Sequence, residues 1–190
     1  MLPIGPLMME HRLIERMVDV VREGVRRARA EGAIDSRFVD AVIDFIRVYA
    51  DRLHHGKEEG ILFRKLAGRN LGAEDARQMA ELIDEHLQAR RQVDAVRAAL
   101  PRYRHGDADS LEAVLKPLET LAELYPEHIH KEDQAFFPAA MRYLNRDEKD
   151  AMIAEMKAFD QGLIHEIYAG VVDAASAAGR AAASPRSAGD

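Results

Sequence analysis

No cysteine occurs anywhere in the 190 residues. That absence excludes disulfides, thiolate metal sites, iron–sulfur clusters and a cysteine nucleophile together. Any metal must be held by nitrogen and oxygen. Glycine and proline are few, and no β-branched run alternates with period two, whereas Ala, Leu, Glu and Arg abound. The expected fold class is therefore all-α. No stretch approaches the ~20 apolar residues a membrane span requires, and the apolar run in MLPIGPLMMEH is too short and too lightly charged for a signal peptide. The formal net charge of -6, from 27 basic and 33 acidic residues, leaves no electrostatic footprint for nucleic acid or an anionic membrane. These features lead us to expect a soluble cytoplasmic protein. Residues 1–175 are expected to form one helical domain, and the small, polar 176–190 segment a disordered tail.

Apolar residues recurring at steps of three and four outline five helices. The first is expected from near Pro6 to near Gly32, with the stripe Leu7, His11, Ile14, Val18, Val21. A second, over about 36–67 with Asp35 or Ser36 as its N-cap, carries Ile43, Ile46, Ala50, His54, Glu58, Ile61. The third, 73–100, carries Leu82, His86, Ala89, Val93 and is expected to stop at Pro101. The fourth begins at Asp109 or Ser110 and carries Leu118, Leu121, Tyr125, His128, Glu132 and Ala135. Pro117 and Pro126 are expected to kink it, and Pro138 to break or bend it. A fifth, 147–175, presents Met152, Met156, Phe159, Leu163 and Glu166.

The second and fourth helices share an outline, HHGKEEGILF against HIHKEDQAFFP. In each, a His is followed four residues later by a Glu, so imidazole and carboxylate meet on one helical face. The overlapping pair His55 and Glu59 is rotated about 100° from its stripe. Because Phe38, Val42, Phe45 and Tyr49 bury that flank too, His55 reads as a neighbour of the site rather than a member. Glu132 likewise continues its stripe, whereas Asp133 is turned about 100° away. His105 and His130 read as surface residues.

Measured from the connecting turns, His11, His54 with Glu58, His86, and His128 with Glu132 fall at one level of an up-down-up-down four-helix bundle, the fifth helix being additional. Burying such a layer unpartnered would cost several kcal/mol for each ion. A metal removes that cost. Four imidazoles and two carboxylates exceed what one tetrahedral zinc requires and suit a pair of irons with positions left open.

The order His11, His54xxxGlu58, His86, His128xxxGlu132, with the two segments quoted above, resembles the hemerythrin-like (HHE cation-binding) proteins over about residues 7–140. The resemblance implies a non-haem di-iron centre, oxo- or hydroxo-bridged, with Glu58 and Glu132 bridging and the four histidines terminal. It departs from the oxygen carriers on the third helix, where Leu82 and Arg90 flank His86 in place of a further histidine. One iron is thus expected to lack a histidine, its place open to water, Tyr49, Tyr125, His165, Glu166 or an exogenous ligand. Binding of, or reaction with, O2, H2O2 or NO is the implied function. An iron or oxygen sensor, or an iron-binding module without turnover, is the alternative.

Overall fold

Helix-favouring composition and three-to-four periodicity dominate the chain, and the computed structural model is helical almost throughout, with no strand among the described residues. It describes residues 2–107 and 109–183, with side-chain surroundings through residue 167. The first helix, α1, spans Ile4–Glu31 and ends on Gly32 at φ 69, a left-handed conformation that glycine adopts without a Cβ clash. Residues 36–67 form α2, opened by the Asp35 carboxylate accepting from the Arg37 N–H at 2.9 Å. Next come α3, Ala73–Arg104, then α4, residues 110–143, and α5, Arg146–Ala183. The first four make the bundle, with α4 packed chiefly on α3 and α1.

Two boundaries differ from expectation. Pro101 lies inside α3, not beyond it. So near a helix end a proline forfeits a single hydrogen bond, and Tyr103 two residues on packs against the core and accepts from the Ile34 N–H at 2.9 Å. The Ala-rich stretch 176–183 continues α5, as its composition favours. It thereby covers part of the segment expected to be disordered, and 184–190 lies outside the described residues.

Two helices contain wide π-helical turns. In α2 these are Ile46–His55 and Glu58–Phe63, and in α4 Glu132–Phe136. The last ends two residues before Pro138, whose ring an ordinary turn would press against the carbonyl four residues back. Pro117 and Pro126 sit within the continuous helix Ser110–Lys131.

The core falls into two clusters. One holds Ile14, Val18, Ala50, Val93, Leu118 and Leu121; the other holds Leu7, Leu62, Leu82, Phe136, Phe137 and Met152. Between their members on every bundle helix stand the polar interruptions of the stripes. Met152, Met156 and Phe159 bring α5 onto the second cluster. Along that contact α5 offers acids to cations of α2 and the loop after it in antiparallel order, Glu148 to Arg69, Glu155 to Arg64, Asp160 to Lys57 and Glu166 to Arg52. Lys57 is fully buried, so this pair counts for more than its three exposed companions.

Candidate metal centre

The layer separating the two apolar clusters consists of His11, His54, His55, Glu58, His86, His128 and Glu132, none more than 2% exposed. All five imidazoles adopt one pose. Their Nδ1 atoms point outward to carboxylates: His11 to Asp133 at 2.8 Å, His54 to Glu10 at 2.9 Å, His86 to Glu59 at 2.7 Å, His128 to Glu85 at 2.8 Å. His55 faces Asp51 at a longer 3.4 Å. Each of those acids is held in turn by a cation. Arg12 pairs with Asp133, Lys57 with Glu10, Lys131 with Glu85, and Arg90 with both Glu59 and Asp51. The Lys that precedes the Glu in both repeated segments thus has one task in each, fixing the acid that fixes the histidine three residues before it.

An imidazole donating from Nδ1 presents a bare lone pair at Nε2. Those Nε2 atoms converge. Nε2 of His11 lies 2.9 Å from that of His54, and Nε2 of His86 lies 3.2 Å from that of His128. The two buried glutamates span the pairs: Glu58 reaches His54 Nε2 at 3.2 Å with one oxygen and His86 Nε2 at 3.4 Å with the other. Glu132 Oε2 stands 3.2 Å from His11 Nε2 and 3.3 Å from His128 Nε2. No carboxylate oxygen of Glu58 or Glu132, nor His55 Nε2, receives or makes a hydrogen bond. Once the protons held among them leave, these converging nitrogens and carboxylate oxygens are the donor set of a cation. They form two groups whose ligand atoms lie within 4.8 Å of each other, His55, Glu58, His86, His128 and His11, His54, Glu58, Glu132. Glu58 belongs to both.

All six residues expected from the stripes are brought together here. His55 is the one that stripe counting misjudged. It is buried, stacked on His86 with ring centroids 3.8 Å apart, and joins the group that the missing α3 histidine was expected to leave short. The π-helical turns explain the error, since widening the turn lessens the angle between successive side chains, and His54 and His55 both face inward. Asp133 is a second correction. It is not in either group, but neither is it turned away: its side chain is buried on His11. His105, His130, His165 and Glu166 stay on the surface. Tyr49 stacks on Phe45, and the buried Tyr125 ring lies parallel to His55 at 6.3 Å, its hydroxyl unpartnered.

A family model, the Hemerythrin HHE cation binding domain, matches residues 2–140. The chain belongs to that family. Among curated proteins it is similar to the uncharacterized proteins Rv1995 and MT2051 of Mycobacterium tuberculosis and Mb2018 of Mycobacterium bovis, each 25% identical over 137 residues. That alignment takes in 70% of this chain and 51% of each relative, so the chain spans about half their length. No solved structure matches.

The electrostatics divide the donors. Burial drives His128 down to about 4, and burial together with His86 drives His55 well below its usual value, so both are neutral near pH 7. Burial also lowers His54, yet Glu58 and Glu10 outweigh it and raise it to about 9. Burial and the neighbouring Glu58 and Asp133 carboxylates push Glu132 well above the carboxylate range. In the metal-free fold His54 therefore holds a proton at pH 7 that a cation must displace, and Glu132 keeps its proton to higher pH than an ordinary carboxylate. Metal uptake at pH 7 is expected to release protons, read with an indicator dye in weak buffer. Because the His54 pKa is raised on folding, its stabilising contribution is complete below about 6.5 and is lost as pH climbs to about 9. The metal-free protein should melt progressively earlier across that interval while the loaded protein does not, and uptake without proton release would contradict the assignment. Asp133→Ala should weaken metal binding about 10- to 100-fold, as loss of a carboxylate behind a ligating histidine does. Equal metal affinity in the variant, measured by competition with a chelator, would show that the Asp133 contact with His11 is idle.

Proposed function

We propose that this layer holds two iron ions, one among His11, His54 and the inner carboxylates and one among His55, His86, His128 and Glu58, with Glu58 and Glu132 bridging. The observation that carries this reading is the sharing of Glu58 between two groups of converging lone pairs. Seven inner donors exceed the need of one ion, and all-nitrogen-and-oxygen ligation by imidazole and carboxylate suits iron. Such a pair supplies electrons and an open coordination position to a small oxidant, O2, H2O2 or NO. The protein's own part is to exclude water, to fix five ring orientations through the outer acids, and to let His54 give up its proton on loading. Membership of the cation-binding family supports the metal, and no helix among the described residues is long and apolar enough to cross a membrane.

One arrangement favours a sensing role instead. Asp160 of α5 meets Lys57, Lys57 meets Glu10, and Glu10 meets His54, so occupancy of the centre bears directly on how α5 is seated. Elemental analysis of anaerobically loaded protein should return two irons per chain with a near-ultraviolet band that Glu132→Ala abolishes. One zinc and no iron would refute the proposal. Turnover of H2O2 or NO then separates an enzyme from a sensor.

A further inference from the structure

Of the six large apolar side chains left exposed among the described residues, four lie on α1 or just before it, Leu2, Met9, Leu13 and Val20. Met9 is 76% exposed, Val20 49% and Leu13 36%. Met9, Leu13, Arg16 and Val20 follow one another at steps of four, three and four, the spacing of a coiled-coil seam, and lie within about 60° of one another around the helix. The seam stands on the opposite side of α1 from the buried row His11, Ile14 and Val18, so it is an outer face of the bundle.

Charge decides what such a face accepts. Arg12, Glu15 and Asp19 line one edge of the seam, on the side where α1 meets α4. When two copies of α1 are laid antiparallel about a two-fold axis so that Met9 of one meets Val20 of the other, Leu13 meets the aliphatic stem of Arg16. The same register carries the Arg16 guanidinium to Glu15 of the second copy and sets Arg12 opposite Asp19. Each of these facing charges is opposite in sign. A parallel alignment would instead set Arg12 on Arg12 and Arg16 on Arg16, which is repulsive. Arg16 makes no ion pair among the described residues, and Glu15 and Asp19 hold only exposed pairs one turn away, with Arg12 and Arg22, which contribute little and are readily shared. Arg12 is held by Asp133 as well, so the contact of Arg16 with Glu15 is the stronger of the two. We propose that the outer face of α1 is a homodimer interface, in which two chains pair antiparallel through Met9, Leu13, Arg16 and Val20. Arg12 at its edge holds the carboxylate behind His11, so the second copy adjoins the outer acids of the buried layer. Pairing of this kind does not require metal in that layer.

Sedimentation velocity of the full chain across the micromolar range should show a concentration-dependent dimer. Leu13→Glu and Val20→Glu should each weaken it on the order of 100-fold, because the symmetry places the new carboxylate twice in an apolar seam. Helicity and metal content should stay unchanged. Arg16→Glu and Glu15→Arg should each weaken the dimer too, and the two combined should restore it, which a merely damaged fold would not do. Because the chain has no cysteine, the alignment can be read directly. Met9→Cys combined with Val20→Cys should cross-link two chains under mild oxidation, whereas either substitution alone should not, its two copies lying about 16 Å apart along the axis. A monomer at every concentration would overturn the proposal and leave the face to a different partner. Cross-linking by the single variants, none by the double variant, or a dimer indifferent to Leu13→Glu and Val20→Glu would overturn it equally.

Discussion

The structure depends on a conflict between burial and charge at a single level of the bundle. Five imidazoles and two carboxylates are withdrawn from water, and an uncompensated ion in such a place costs several kcal/mol. Hydrogen bonding resolves the conflict only on the outer side, where each Nδ1 meets an acid and each acid meets a cation. On the inner side imidazole nitrogens and carboxylate oxygens converge on one another, with no such pairs to close them. A cation resolves that half, and fixing the rings from outside before the cation arrives is what makes the donors converge rather than splay.

The outer shell also gives several of the charged side chains a task at the centre. Arg12, Lys57, Arg90 and Lys131 would look like ordinary solvated cations of amphipathic helices, yet each closes a path of two contacts to an inner imidazole. Lys57 extends its path further, to Asp160, and so ties to the centre a helix that lies beyond the family-matched segment. Gly56 belongs to the same contact: a Cβ there would lie 2.9 Å from the Phe159 ring, so glycine lets α5 sit close enough for Asp160 to reach Lys57.

Much of this was legible in the sequence because an α-helix fixes the angle between residues. His11, His54, Glu58, His86, His128 and Glu132 each continue an apolar stripe, and equal distances from the turns bring them level. What periodicity could not reveal has two physical sources. Wide turns in α2 and α4 change the angle on which stripe counting relies, which hid His55. Contacts between helices, such as Asp133 with His11 or Glu10 with His54, depend on tertiary distances that no single-helix pattern contains. The one readable trace was the Lys before each Glu, a repeated feature that the stripes did not need and the outer acids do. Pro101 misled for a related reason, since tertiary packing of Tyr103 outweighs a local penalty at the helix end.

Anomalous diffraction from a crystal of the loaded protein, recorded on either side of the iron absorption edge, decides whether the layer holds two irons. Two iron peaks are expected in the buried layer, one beside His11 and His54, the other beside His55, His86 and His128, with Glu58 between them. A single peak, or iron bound only outside this layer, would contradict it.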